Sequence, residues 1–408
     1  MGKPENSLSD FIIGSPFLFE FASLPNALFN AIKPKIELVP HPLPASFRVR
    51  NTDCVSSLLK LFSNEDKHKS IALQYDYFQV YIKSIFLKSS VYKDEASEFF
   101  LGENLILDEK LMECLLFTTS FTINLTDVEI SIFSKIRSLF SRYKYNKLHK
   151  YMTEVISKEL LNRTDSRSDS QLVPNDAIDI IIKNKNKYSL YDYKLIGSSF
   201  GTILQLSSSI NGSRLANFLI DVSFNVRIYN RLAIEQITII EKYGFKINEA
   251  QLDDMVYLDA ALKDSIRLTQ RTVCERRVEK NYIFSNGAII PKGSIVKFDL
   301  FSHSRNVRIH GNYSHHFVPE RNLLNKTKLS DVLLDSFIWS AGDHKCPAIG
   351  YSVTQLKIAA AIFIRNFEIT QACNLNAKHK GYEIFNTIRH VNTELYLKPH
   401  NILEYKFT

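Results

Sequence analysis

The residues best placed to do chemistry lie near the C-terminal end of the chain. Trp339-Ser340-Ala341-Gly342-Asp343-His344-Lys345-Cys346-Pro347-Ala348-Ile349-Gly350 runs straight into the apolar stretch YSVTQLKIAAAIFIRNFEI. An aromatic residue and a glycine-containing turn precede one cysteine, and Pro347 stands where a helix would begin, where its missing N–H costs nothing. A cysteine at a helix N-terminus feels the positive end of the dipole, which favours thiolate, the form that ligates a metal. The alternative for an arbitrary lone cysteine is an inert thiol packed before a core helix. Upstream, Asp264 and Arg267 are three residues apart in a helical stretch, so carboxylate and guanidinium share a face. By itself such a pair reads as a surface ion pair worth ~0.3–0.5 kcal/mol. A further arginine, Arg321, follows in Phe317-Val318-Pro319-Glu320-Arg321-Asn322.

These groups must be positioned by a mostly helical scaffold. Apolar residues recur at helical spacing from about 111 to 162, as in Ile132, Phe133, Ile136, Leu139 and Phe140. A polar break at 163–175 carries Pro174, and Asn175-Asp176 supplies a helix start before AIDIII. Helical stretches follow at about 190–222, 224–244 and 250–269. After Arg271 the texture changes to short strand patterns around Tyr282–Phe284, Ala288–Ile290 and Ile295–Phe298, punctuated by Asn286-Gly287 and Pro291-Lys292-Gly293. The fold class is mainly α with a small β region.

Composition narrows the function. The 408 residues include 51 Lys+Arg and 43 Asp+Glu, a formal charge of +8, with 45% hydrophobic residues, 13 Gly and 12 Pro. That excludes a disordered, collagen-like or low-complexity chain. Five cysteines without a CxxC pair argue against a disulfide scaffold or zinc module and for a reducing compartment. The positive excess contains no Lys/Arg run, so nucleic acid is not an expected partner, and the basic surface suits an acidic protein. No apolar run reaches the ~20 residues of a membrane span. The aromatic patch Phe17–Phe29 is suited to a membrane surface or a pocket wall.

The segment W-x-x-G-x-H-x-C-P before a long apolar helix resembles the haem-binding loop of cytochromes P450, in the H-x-C-P form common in fungal members. The upstream segments match in order. Asp264-x-x-Arg267 resembles the family's E-x-x-R signature in the K helix, and Phe317–Asn322 resembles the PERF segment, whose arginine closes a buried ion network with that pair. The resemblance implies a cytochrome P450 fold with haem b between the I and L helices and Cys346 as axial thiolate of the iron. It places His344 and Arg276 (or Arg277, with Arg276 preferred) at a haem propionate. Phe47-Arg48-Val49-Arg50-Asn51 resembles the start of the C helix and makes Arg50 the candidate for the other propionate. In the I-helix stretch Leu206–Asn211, Ser209 falls near the proton-delivering acid position and Ile210 at the usual threonine, and a one-residue shift puts Ser209 at the alcohol position. Phe99–Glu103 resembles a more N-terminal helical region of the family.

Residues 45–408 are thus read as the haem domain and 1–44 as an atypical N-terminal segment, with the membrane anchor and part of the first β-sheet missing. Two further departures are Ala348 for a glycine that lets the helix approach the porphyrin, and Asp264 for glutamate, which shortens the ion-network arm by one methylene. The function implied is a monooxygenase oxidising a hydrophobic small molecule, a terpenoid or polyketide intermediate of fungal specialised metabolism. It would use O2 and electrons from NADPH through NADPH-cytochrome P450 reductase, with Lys345 at the docking face, on the cytoplasmic side and peripheral at the endoplasmic reticulum. The departures also define a rival, a non-oxygenating haem-binding homologue that acts as a binding or interaction protein.

Overall fold

The computed structural model describes residues 10–25, 27–30, 45–64, 132–166, 176–187, 189–371, 381–384, 388–390 and 395–404, with a few positions between 71 and 114. Its helices, in chain order, are α1 (Leu18–Ser23), α2 (Ala45–Asn64), α3 (Ile132–Ser166), α4 (Ala177–Asn184), α5 (Tyr193–Leu206), α6 (Gly212–Ser223), α7 (Val226–Tyr243), α8 (Glu249–Asp254), α9 (Val256–Thr269), α10 (Leu300–Ser304), α11 (Val307–His310), α12 (Glu320–Leu324) and α13 (Ile349–Asn366). A π-helical turn, Ser207–Asn211, joins α5 to α6. Strands β1 (Asp10–Ile13), β2 (Phe29–Asn30), β3 (Val273–Val278) and β6 (Ile295–Asp299) form a four-stranded sheet in the order β1-β6-β3-β2. Two-stranded sheets pair β4 (Tyr282–Ile283) with β5 (Ile289–Ile290), β7 (Phe367–Gln371) with β10 (Leu395–Pro399), and β8 (Tyr382–Ile384) with β9 (Ile388–His390).

Local chemistry sets the helix boundaries that matter for the site. α4 starts where Asp176 accepts the Asp179 N–H, and Arg163 from the end of α3 reaches both carboxylates at 2.7 and 2.9 Å. α7 begins at Asn225, whose side chain accepts the Ile228 N–H, and ends at Gly244 with φ of 82°. A left-handed residue there closes the last turn at no Cβ cost. α9 is buried from Tyr257 through Thr269, and two of its first backbone N–H groups, those of Tyr257 and Leu258, are satisfied by the Glu235 carboxyl at 2.5 and 3.0 Å. A helix buried on every side is apolar all round only if its polar members are paired. Asp264 and Arg267 meet that condition, and so does Lys263, which donates to the Lys328 carbonyl at 3.0 Å.

Three apolar clusters hold the molecule together. One joins α6, α7, α9 and α13. A second joins α2, α3, α4 and α5 and meets the first at Cys346. The third consists of the sheet and the N-terminal segment, with Phe21, Phe29, Phe284, Phe298 and Phe337 in mutual ring contact. This changes the reading of residues 1–44. β1 pairs in parallel with β6, Asp10 opposite Ile295, and β2 pairs antiparallel with β3, Phe29 opposite Val278. Residues 10–30 therefore supply two of the four strands of the main sheet. Phe21 and Phe29 are fully buried rather than displayed to a membrane, while Phe19 is 72% exposed. Burying each such ring is worth about 1.5–3 kcal/mol. Among the described residues no helix is long and apolar enough to cross a membrane.

Candidate functional site

A cavity of about 410 Å³ lies where the first two clusters meet. Its walls come from α2 (Thr52, Val55, Leu59), the π turn and its flanks (Ile203, Ser207, Ile210, Asn211, Arg214), the start of β3 (Val273, Cys274, Glu275), the 337–348 segment and the first turn of α13. Its size falls in the range of sites that enclose a whole small molecule or cofactor.

Cys346 is on this wall. It stands two residues before the N-cap Ala348, so α13 begins at Ile349, slightly later than Pro347 suggested. The preceding segment is pinned. Cys346 donates its N–H to the Trp339 carbonyl at 2.9 Å, and the buried Trp339 indole donates to the Leu329 carbonyl at 2.5 Å. Gly342 has φ of 62°, and a Cβ there would collide with the Ala22 carbonyl, so the turn takes only glycine. His344 also lines the cavity, with its ring Nε2 2.9 Å from the Phe29 carbonyl, which ties the loop to β2. Cys54, Cys114, Cys274 and Cys346 form no disulfide among the described residues, and Cys373 lies outside them.

Facing Cys346 is a polar strip. Ser207 Oγ is 3.0 Å from Tyr351 Oη and 3.3 Å from Gln355 Oε1, and Asn211 Nδ2 donates to the same Gln355 oxygen at 2.5 Å. These bonds couple the π turn to α13. Single π turns inside α-helices recur at functional sites because they re-aim side chains. Ser209, the residue singled out in sequence, belongs to this turn, but its side chain lies outside the described residues. The structure puts Ser207, Ile210 and Asn211 of the same turn on the wall.

The two arginines proposed for propionates part company. Arg276 is fully buried on β3, stacked on Phe21 with its guanidinium carbon 4.2 Å from the ring centroid and donating through Nη1 to the Phe21 carbonyl. Its Nε and Nη2 have no hydrogen-bond partner among the described residues. Burial pushes its pKa down to about 10, against the pull of Cys274 and Asp343. It does not itself line the cavity, although its strand neighbours Cys274 and Glu275 do. Arg50, by contrast, is turned to solvent, 65% exposed and ion-paired with Asp192 at 2.9 Å. It is not among the residues that line the cavity, and Asn51 beside it accepts the hydroxyls of Ser198 and Ser199. Phe99–Glu103 lies outside the described residues.

The ion network is complete. The fully buried Asp264 carboxylate holds Arg267 Nε at 2.8 Å and Arg321 Nε at 2.9 Å through one oxygen and accepts the Val318 N–H at 2.6 Å through the other. Arg267 spends its remaining donors on the carbonyls of Ser304, Ser314 and His316. The aspartate, one methylene shorter than glutamate, still reaches Arg267, Arg321 and the Val318 N–H. The result fixes the chain from α9 to the segment that leads to Cys346.

Several residues of the wall escaped sequence reading. Ser207, Asn211 and Arg214 follow i, i+4, i+7 spacing, and Tyr351 and Gln355 follow i, i+4; the signal was a shared polar face on otherwise apolar helices. Arg214 lies with its guanidinium carbon 4.9 Å from the centroid of the Trp339 ring.

The donor set fits haem. A sulfur ligand stands ahead of a helix N-terminus on one wall, the cavity is lined mainly by apolar side chains, and a buried guanidinium beside it has two unpartnered nitrogens. Ala348 is buried on the wall and presents only a methyl group there. Among the described residues there is no cluster of His, Cys, Asp and Glu to hold a metal on its own. A metal here would come with its macrocycle and take Cys346 as the protein ligand.

Comparison with known proteins agrees. The fold superposes on the cytochrome P450DA haem domain with a TM-score of 0.71 at 12% identity, covering 96% of this chain and 89% of that one. Pisatin demethylase of Fusarium vanettenii is 29% identical over 174 residues, 41% of this chain and 33% of its own length. The cytochrome P450 monooxygenase ptmU of Penicillium ochrochloron is 25% identical over 230 residues, 53% of this chain and 44% of its own length. A Drosophila melanogaster protein named as a probable cytochrome P450 313a2 is 30% identical over 128 residues, 31% of this chain and 26% of its own length. The chain thus spans about a quarter to a half of these curated relatives. The cytochrome P450 family model matches residues 73–384, which take in α9, the Asp264 network and the Cys346 loop, and the chain belongs to the cytochrome P450 family.

Proposed function

We propose that the protein is a haem-thiolate monooxygenase that oxidises a hydrophobic small molecule, a terpenoid or polyketide intermediate of specialised metabolism, with O2 and electrons passed from NADPH by NADPH-cytochrome P450 reductase. The observation that carries the reading is the position of Cys346, on the wall of the cavity between the π turn and α13, with its backbone fixed by Trp339. Haem, when bound, supplies the activation of dioxygen and the transfer of one oxygen atom to a C–H bond.

The chain's own residues supply the rest. Cys346 as thiolate would hold the haem iron, and its electron donation would tune the bound group for dioxygen activation. His344, on the cavity wall, and Arg276, buried behind it on β3 beside Cys274 and Glu275, are the groups that would balance the haem carboxylates. Val55, Leu59, Ile203, Ile210 and Leu300 exclude water and hold an apolar substrate. Ser207 Oγ, hydrogen-bonded to Tyr351 Oη, holds a proton at the wall where the family uses an acid–alcohol pair. Lys345 beside the ligand loop suits an acidic reductase, and the location that follows is the cytoplasmic face of the endoplasmic reticulum, held peripherally.

The reading is tested by the ferrous–carbon monoxide difference spectrum of the haem-loaded protein. A Soret band at the wavelength that names the family is expected in the wild type and not in Cys346→Ala; its absence from the wild type overturns the proposal. A second reading, a haem-binding homologue that does not oxygenate, is favoured by Ile210 on the wall and by the engagement of both Ser207 and Asn211 with Gln355. It prevails if the band forms but reductase and NADPH drive no oxygen uptake with terpenoid or polyketide substrates.

A further inference from the structure

A second cavity, of about 260 Å³, lies between α9, α11, α12 and the segment 333–336, and it shares no lining residue with the cavity at Cys346. Three cations line it: Lys263 and Arg267 from α9, one turn apart, and Arg321 from the first turn of α12. Lys263 is only 3% exposed. A cation withdrawn from water is stable where anions and acceptors meet it. The arginines are met: both pair with Asp264 and donate to backbone carbonyls, sharing that of His316 at 3.1 and 3.2 Å. For Lys263 the printed acceptor is the Lys328 carbonyl at 3.0 Å, whereas an ammonium carries three N–H donors. The carboxylates around it have other partners. Asp259 pairs with Lys357 at 3.2 Å, Asp331 accepts the Lys328 N–H at 2.7 Å, and Asp264 holds the arginines. Asp335, on the wall, is exposed. Two carboxylates, Asp264 and Asp335, therefore balance three cations.

Two more groups on this wall have no hydrogen-bond partner among the described residues: Ser336 Oγ, on a residue 5% exposed, and His310 Nε2. Both residues are held in place. The Ser336 carbonyl accepts the Gln270 side chain at 3.1 Å, and the His310 carbonyl accepts Arg321 Nη1. The His310 ring also bonds to the Asp335 backbone, and burial with the nearby Arg267 and Arg321 pushes its pKa down to about 3. A neutral imidazole that donates through one nitrogen accepts through the other. The wall thus combines donors, Lys263 Nζ and Ser336 Oγ, with an acceptor, His310 Nε2, in a positive field. An anion that also carries an O–H group answers all of them; hydrogen phosphate is such an ion, and sulfate at neutral pH is not.

We propose that this cleft is a binding site for a small phosphate, with Lys263 Nζ and Ser336 Oγ donating to its oxygens and its P–OH group donating to His310 Nε2. Lysine serves such sites as a point charge. Because α9 and α12 both contribute to the wall, a bound phosphate ties together the two helices that the Asp264 network already joins. The site is independent of the haem-thiolate reading.

The test is isothermal titration of the purified chain with inorganic phosphate, sulfate and glycerol 3-phosphate at matched ionic strength and neutral pH, on the wild type, Lys263→Met, Ser336→Ala and Asp335→Asn. The wild type is expected to bind one phosphate saturably and sulfate more weakly. Lys263→Met and Ser336→Ala should each weaken phosphate, the lysine change by roughly tenfold or more because a charge-assisted hydrogen bond is lost. Asp335→Asn removes the exposed carboxylate of the wall and should tighten binding. Glycerol 3-phosphate identifies the source: binding tighter than phosphate supports the site as one for a small phosphate ester, and weaker binding supports it as one for the free ion. The proposal is overturned if the wild type shows no saturable phosphate heat, if sulfate binds as well as phosphate, or if the Lys263 and Asp335 variants bind phosphate like the wild type. Should Lys263→Met not fold, the exposed Asp335→Asn decides, and an unchanged affinity there overturns the site.

Discussion

Replacing Asp264 by asparagine removes one charge and nearly no volume from a deeply buried ion network. The carboxylate is fully buried and holds two guanidinium groups at 2.8 and 2.9 Å and one backbone N–H at 2.6 Å. Asparagine keeps one acceptor oxygen but presents an NH2 to a neighbour that can only donate. Arg267, with a side chain 3% exposed, cannot turn to water and keeps its charge without a counter-ion. Breaking one side of a buried pair costs about 3–5 kcal/mol. A domain has only about 5–15 kcal/mol in total, so the change consumes a third or more. Urea unfolding followed by far-UV circular dichroism should show a large drop in midpoint at unchanged slope, since the surface exposed on unfolding is the same. The reference is Asp254→Asn, which breaks the Lys242 pair at 2.8 Å on side chains 60% and 41% exposed and should cost about 0–1 kcal/mol. If Asp264→Asn loses no more than Asp254→Asn, the network does not hold α9 to the ligand loop as argued.

Arg163 joins α3 to α4 through Glu159, Asp176 and Asp179, and Arg163→Met should destabilise by about 3–5 kcal/mol in the same assay because the fully buried Asp179 loses its Arg163 partner. Gly342→Ala forces a Cβ against the Ala22 carbonyl at φ of 62° and should cost about 1–3 kcal/mol, with weaker haem retention measured by haem transfer to apomyoglobin. His310 has its pKa pushed down to about 3 by burial and by Arg267 and Arg321. A depressed histidine contributes stability that is complete above the ordinary value of 6.5 and falls as pH drops towards 3, because only the unfolded chain takes the proton. Unfolding midpoints measured from pH 7 to 4 should decline less steeply in His310→Asn than in the wild type.

Much of the site could be read from the residues because its parts are local. The Cys346 loop is a run of twelve residues whose turn, proline and following helix all agree, and Asp264 with Arg267 meets on one helix face by spacing alone. What was hidden depends on the third dimension. Whether an arginine on α2 points in or out is set by a rotation of the helix, and Arg50 went to Asp192 while Asn51 went inward. The π turn at Ser207–Asn211 adds a residue to the helical register, so a count along the helix could not say whether Ser207 or Ser209 faces the cavity. β1 and β2 are four and two residues long, too short for a periodic signal, and exist because β6 and β3 offer them free edges. Arg214 went unremarked because its partner surface, the face of Trp339, is 125 residues away in the chain.

The central claim is that Cys346 is the thiolate ligand of a haem held between the π turn and α13. The most direct measurement is the ferrous–carbon monoxide difference spectrum of the purified, haem-loaded wild type beside Cys346→Ala. The account predicts a band at the family's wavelength in the first and its loss in the second; a wild type that binds haem without that band, or a Cys346→Ala variant that keeps it, contradicts the account.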